Sequence, residues 1–144
     1  MGKLVVFAGV SVDGVFEAPD GDISWHRVDE PVHEHFNEVL FASAAVLGGR
    51  VNHEMMNEYW PTADEDPDAP PAVREFAEFW RKVKKYVVTR TMADTGEWNT
   101  TVLRSFDPAE IRAIADAADG DVIVGGGEII DLARRADLVD EWRI

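Results

Sequence analysis

The sequence predicts an α/β fold of three layers, a mainly parallel central sheet flanked by helices. Short β-branched runs alternate along the chain with segments of helical periodicity, the pattern of strand–helix–strand units. The run Lys3 to Gly9 is also continuously apolar, as a strand buried on both faces must be. With 144 residues, of which 46% are hydrophobic and 29% charged, the chain suits one domain spanning residues 1–144.

Taken in order, Lys3 to Gly9 is the first strand, and Ser11 to Asp22, rich in Gly, Pro and Asp, is a loop. Asp29 to Ala42 reads as a helix, with Val32, Phe36, Val39 and Leu40 at helical spacing, Asp29 as cap and Pro31 in the first turn. Ala44 to Gly48 is a short strand and Arg50 to Tyr59 a short helix. Pro61 to Pro71 holds four acids and four prolines and reads as an exposed loop that packs no core. Ala72 to Arg81 returns to helix, and Lys85 to Thr89 and Thr100 to Leu103 are strands. Asp107 and Pro108 open a helix running to about Ala118. Asp121 to Val124 is a strand that runs into three glycines and another helix, and Leu138 to Ile144 begins a last strand. Phe76, Phe79 and Trp80 fall at helical spacing and read as core, as do Met55 and Met56.

Charge and composition exclude several functions. A net charge of −14, from 28 acidic and 14 basic residues, is unsuited to a nucleic-acid surface. There is no apolar run long enough to cross a bilayer, and the N-terminus lacks signal-peptide architecture, so the expected location is cytoplasmic with no membrane contact. Cysteine is absent, which removes thiolate chemistry and disulfides. No metal site is expected either: of His26, His33, His35 and His53, the close pair His33 and His35 lie two apart on a helix and face different directions, so they do not chelate together.

Three places join a strand end to glycine, a hydroxyl or a basic residue: Val46 to Arg50, Val87 to Thr91 and Val124 to Gly127. In an open α/β sheet, ligands bind beyond the carboxyl ends of the strands. Gly125, Gly126 and Gly127 would let backbone approach a ligand, with unpaired N–H groups at the positive end of the next helix, a setting for pyrophosphate. Alone, the same glycines would equally be a turn that starts a helix. Arg50 and Arg90 add guanidinium forks suited to a phosphate monoester. Together these features favour a doubly phosphorylated ligand, such as a dinucleotide with an extra 2′-phosphate.

The order of motifs resembles the dihydrofolate reductase-like superfamily, specifically the bacterial branch similar to the C-terminal reductase domain of the riboflavin-biosynthesis deaminase/reductase. The matching stretches are Ser11-Val-Asp-Gly14, Pro19-Asp-Gly-Asp-Ile-Ser-Trp25, Gly49-Arg-Val-Asn-His-Glu-Met-Met56 with Tyr59-Trp-Pro61, Lys85-Tyr-Val-Val-Thr-Arg-Thr91, and Gly125-Gly-Gly127 with Asp137-Leu-Val-Asp-Glu141. The resemblance implies an NADPH-dependent reductase acting on a small pteridine- or pyrimidine-like heterocycle or its ribosylamino derivative. It implies that Gly125, Gly126, Gly127 and Glu128 hold the pyrophosphate and that Gly49, Arg50 and Asn52 reach the cofactor phosphates. Thr89 and Arg90 would surround the 2′-phosphate and adenosine ribose. Backbone at Ala8 and Gly9 would meet the nicotinamide carboxamide, with the loop from Val15 to Trp25 closing over the ring.

The chain departs from the family at three places. Asn52 and His53 replace a threonine and an aromatic residue after Gly-Arg-Xaa. His33, beside Glu34, stands where folate reductases carry a carboxylate. Relatives continue past Glu141 for about one further hairpin, so the sheet is expected to lack its usual C-terminal hairpin, through truncation or because a partner chain supplies the edge. The apolar end formed by Leu138, Val139, Trp142 and Ile144 makes a homodimer the expected state. Candidate catalytic residues on the substrate side are Asp13, Trp25, His33 and Glu34; Asp13 also reads as the stabiliser of its own turn. A different reading, a nucleotide-binding or assembly module on the same fold without turnover, remains open at this point.

Overall fold

The computed structural model describes all 144 residues. Six strands form one sheet: β1 (Leu4–Phe7), β2 (Ser43–Gly49), β3 (Lys84–Val88), β4 (Thr100–Leu103), β5 (Asp121–Val124) and β6 (Glu141–Arg143). Their spatial order is β4-β3-β2-β5-β1-β6, and every neighbouring pair is parallel. The helices are α1 (Glu30–Phe41), α2 (Arg50–Tyr59), α3 (Pro71–Lys82), α4 (Pro108–Ala117) and α5 (Gly127–Arg135). None is long and apolar enough to cross a membrane.

Parallel strands need crossovers, and the crossovers cover both faces. Strand alternation then sorts the side chains. Leu4, Val6, Leu47, Val122 and Val124 point to one face, where Ile111 and Ala115 of α4 and Ile129 and Ala133 of α5 close the core. Neighbours with the opposite parity point the other way: Phe7 meets Phe36 of α1 edge to face at 5.2 Å. On that side α3 buries Ala72, Phe76, Ala77 and Trp80, four residues at helical spacing.

The caps lie where the acids suggested. Asp29 accepts from the Val32 amide at 3.1 Å, with Pro31 in the first turn of α1, and Asp107 accepts from the Ala109 and Glu110 amides at the start of α4. The last strand is shorter than its apolar sequence implied. Asp137, at φ 55°, ends α5, with the Leu138 amide donating to Ala133 and the Asp137 amide to Arg134. That turn tucks Leu138 into the core, and pairing with β1 begins only at Glu141.

Another difference concerns residues 61 to 71. Trp60–Glu65 is a 3-10 helix with Pro61 and Ala63 buried, in place of a wholly exposed loop. Arginines from α3 hold it. Arg81 grips the Asp64 carboxylate at 2.9 and 2.7 Å and the Pro61 carbonyl at 2.8 Å. Two turns earlier on α3, Arg74 donates to the carbonyls of Ala69, Asp66 and Pro67. Acids that cannot pack alone do so once a planar cation reaches them.

Lys85 is the least expected core residue. It is 1% exposed, and its ammonium donates to the carbonyls of Trp80 and Val83 at the end of α3. Burial pulls its pKa down to about 8, against 10.5 for a free lysine. Between those values the unfolded chain binds more protons at this site than the folded one, so stability from this group rises with pH through that window. Urea unfolding of Lys85→Met should therefore show a flatter pH dependence than the parent between about pH 8 and 10.5; parallel curves would mean the amine stays fully charged when folded. Asp107→Ala should cost about 1 kcal/mol, the usual worth of such a cap, read from the same measurement.

Candidate functional site

The site follows from the strand order. The chain leaves β2 toward β3 and β4, and it leaves β5 toward β1 and β6. Adjacent strands whose exits diverge leave a crevice between them at their carboxyl ends. The two glycine motifs border it: Gly48 and Gly49 end β2, and Gly125 follows β5, its amide donating to the Leu47 carbonyl at 2.9 Å. Beyond that bond the two backbones separate.

Gly126 has φ 83° and ψ 131°, a conformation close to glycine's own territory, and a Cβ there would lie 3.3 Å from Cβ of Asn52. The turn aims the start of α5 into the crevice. No side chain caps this helix, so its first amides are free for a ligand. Asn52, one turn into α2, stands over the glycines with Oδ1 3.5 Å from the Cβ position of Gly48 and 3.7 Å from that of Gly125.

The crevice opens into a cleft of about 870 Å³. Its far wall is the end of β3 and β4. Buried Thr89 accepts from the amides of Thr91 and Met92 and so bends the chain there. Arg104, just past β4, donates to the Met92 carbonyl at 2.6 Å and braces the same bend. Arg90 is exposed at its tip and lines the cleft beside Arg104 and Ser105. Arg50 lines it too, its guanidinium 2.8 Å from Glu54 one turn along α2. An exposed pair of that spacing is worth about 0.3–0.5 kcal/mol, so a phosphate can take Arg50 from Glu54. The roof comes from the loop between β1 and α1. Phe16 and Glu17 lie over Gly127, with Glu17 Oε1 3.5 Å from its Cβ position.

Of the residues expected to hold a cofactor, Gly49, Arg50, Asn52, Thr89 and Arg90 line this cleft, as do Gly126, Gly127 and Glu128. Gly125 borders it through Asn52. Ala8 and Gly9 lie outside the lining: the Ala8 amide donates to Arg143, and Gly9 is covered by the rings of His26 and Phe36.

None of Asp13, Trp25, His33 and Glu34 lines the cleft. Asp13 accepts from the Ser11 hydroxyl at 2.5 Å within a tight turn in which Ser11 also accepts from the Val15 amide. Trp25 donates from its indole to the Asp22 carbonyl. His33 packs against Trp60 and Phe76, and burial holds its pKa below the usual histidine range. Glu34 is exposed on α1. His53 is buried beside Trp80: Asn57 donates to His53 Nε2 and accepts the Trp80 indole N–H at 2.7 Å. It keeps an aromatic neighbour's packing while joining a polar network. Burial, then the nearby Lys85 charge, lowers its pKa.

Sequence reasoning missed Arg104 and Ser105, named Glu17 only as part of the closing loop, and placed Met55 in the core, whereas it is exposed on α2 and lines the cleft. For Arg104 a signal existed: it follows a strand just as Arg50 and Arg90 do.

The family model of the RibD C-terminal domain matches residues 2–144. No curated protein matches the chain. Among solved structures, one from Shewanella sp. PV-4, provisionally assigned as a riboflavin biosynthesis protein, aligns with a TM-score of 0.61 at 21% identity. The alignment covers 100% of this chain and 78% of that one, and at this identity it speaks to the fold.

The three glycines are not equivalent. Any side chain at Gly126 is strained by its φ, so Gly126→Val should cost about 1–3 kcal/mol of stability as well as blocking a ligand. Gly127→Ala meets only Glu17 and Phe16, at 3.5 Å or more, and should unfold like the parent. Loss of anion binding by a stably folded Gly127→Ala, followed by titration with pyrophosphate, would separate ligand access from turn geometry; unchanged affinity would assign the glycines to the turn alone.

Proposed function

The chain belongs to the RibD C-terminal domain family, and from that membership we propose that it is an NADPH-dependent reductase of a small heterocycle. The observation that carries the reading is the pairing of two walls. A glycine cradle at the start of α5 faces a corner with Arg90 and Arg104 across one cleft, a spacing of features suited to a dinucleotide with an additional phosphate. The glycine positions leave backbone open toward Asn52: a Cβ at Gly126 would press on it at 3.3 Å, and one at Gly125 would come into contact with its Oδ1 at 3.7 Å. The residues therefore fit the cofactor.

In this reading the free amides of α5 and the backbone of Gly125 to Gly127 hold the pyrophosphate, with Asn52 donating from the other side. Arg90 takes the 2′-phosphate beside Thr89, and Arg50 leaves Glu54 for a phosphate oxygen. NADPH supplies the hydride. The chain supplies position, charge and exclusion of water, the last through the loop that carries Phe16 and Glu17. The substrate class is a pteridine- or pyrimidine-like ring or its ribosylamino derivative. The provisional place of the Shewanella protein in riboflavin biosynthesis agrees with the pyrimidine choice. Cytoplasmic location accompanies this reading, as does a homodimer that covers the exposed Trp142 of β6.

Fluorescence titration should show NADPH binding more tightly than NADH, and equal affinities would remove the 2′-phosphate site. Arg90→Ala should weaken NADPH alone, by about tenfold or more if one charged hydrogen bond is lost. Consumption of NADPH with 5-amino-6-(5-phosphoribosylamino)uracil tests the chemistry; tight binding without turnover of any heterocycle would leave a nucleotide-binding module. Hydrogen exchange between Ser11 and Trp25 should slow when NADPH is added, and unchanged exchange would mean the segment is no lid.

A further inference from the structure

Of the ten residues of α2, the helix that presents Arg50 and Asn52 to the cleft, His53 alone is buried, at 6% exposure. It is thereby the helix's point of attachment. Cβ of its neighbour Asn52 lies 3.3 Å from the Cβ position of Gly126, so a shift of α2 at this residue is felt in the glycine cradle. No side chain caps α2 at Gly49, and its Arg50–Glu54 pair is exposed and internal to the helix, so neither holds it to the sheet.

The hydrogen bonds at His53 fix its protonation. The Trp80 indole N–H can only donate, and it does so to the Asn57 amide oxygen at 2.7 Å. Asn57 therefore turns its amino group to the imidazole, 3.0 Å from Nε2, which must accept. Nδ1 then carries the hydrogen of the neutral ring. A protonated ring donates from both nitrogens, and its Nε2–H would face the Asn57 amino group. Asn57 could offer its oxygen to the ring only by turning that amino group on Trp80, so one donor is left facing another either way.

Charged groups surround the ring unevenly. From β3, Lys85 opposes a proton there, its ammonium 4.7 Å from the centre of the Trp80 ring. On α2 itself Glu54 favours one but is already bound to Arg50. β2 carries no titratable residue, α3 presents the Trp80 ring, and Asp64 of the 3-10 helix is held by Arg81. Burial first, then Lys85, hold the docked ring below the free-histidine value of 6.5.

We propose that His53 is a proton-sensitive anchor for α2: a neutral imidazole holds the helix, with Arg50 and Asn52, against the cleft, and a proton at Nε2 releases it. Weaker cofactor binding in acid follows, a consequence that rests on the cofactor reading above. With α2 released the ring titrates as a free histidine, so below 6.5 the released state binds more protons than the docked one. Release therefore grows as pH falls, until the docked ring is charged as well.

Nitrogen-15 NMR of histidine-labelled protein should find Nδ1 protonated and Nε2 bare in neutral His53. Hydrogen-exchange protection of the α2 amides, corrected for the intrinsic pH dependence of exchange, should fall by up to about tenfold per pH unit below 6.5. His53→Gln can accept from Asn57 but takes no charge, and its α2 protection should stay level with pH. Asn57→Asp offers one oxygen to Trp80 and another to the imidazolium, so it should raise the His53 pKa and keep α2 protected in acid. NADPH affinity of the parent, divided by that of His53→Gln to cancel titration of the cofactor's own phosphate, should fall between about pH 8 and pH 5. A neutral ring with its hydrogen on Nε2, level protection in the parent, or a constant affinity ratio would each overturn the proposal and leave the cofactor reading intact. Failure of the parent to bind NADPH at any pH would overturn the cofactor reading, with the NMR and exchange results still deciding the anchor.

Discussion

The position of β5 between β2 and β1 is the constraint on which the rest of the structure depends. Val122, Ile123 and Val124 are buried on both faces, so the strand cannot slip by one residue without turning its whole set of side chains over. The chain leaves β2 for one side and β5 for the other, and because crossovers between parallel strands keep one hand, the two connections cover opposite faces of the sheet. Past the Leu47–Gly125 hydrogen bond β2 and β5 no longer pair with each other, while Gly48 and Gly49 still pair with β3. Glycine and the start of a helix occupy that position, and the crevice is the geometric remainder.

Charge acts within this frame. The chain is strongly acidic, and most of its arginines answer a carboxylate: Arg81 with Asp64, Arg112 with Asp140, Arg135 with Asp131, Arg143 with Glu141. The two on the far wall of the cleft do otherwise. Arg104 spends one donor on a backbone carbonyl and braces the bend that presents Arg90, and both stay clear of acids. Opposite them, Glu17 sits near the positive end of α5, where an anion is favoured. An arriving phosphate thus meets one wall with uncommitted cations and another whose own acid must yield.

Much of this was legible in the sequence. The alternation of elements, the caps Asp29 and Asp107, and the three strand ends with glycine or arginine all read correctly because each rests on local chemistry: spacing, a short acid, a missing Cβ. What could not be read needed distant partners. Residues 61 to 71 pack because α3 brings Arg81 onto the Asp64 carboxylate and Arg74 onto the backbone carbonyls, partners that lie outside the segment itself. Lys85 reads only as the start of a strand, since nothing local says that the last carbonyls of α3 lie over it. His26 carries no periodic signal in an irregular loop, and only the fold brings it to Gly9. The place of Glu17 over Gly127 was hidden for the same reason.

The place of β1 bears on how the chain reaches this state. The first strand pairs only with the last two, Leu4 beside Val122 and Val6 beside Trp142. During synthesis it therefore emerges first and waits for nearly the whole chain, while β2, β3 and β4 can join in sequence behind it. Such distant pairing delays collapse of the sheet and leaves an apolar segment available to chaperones or to other chains. β5, which must seat between β2 and β1, is made only after β2, β3 and β4, so the centre of the sheet closes late.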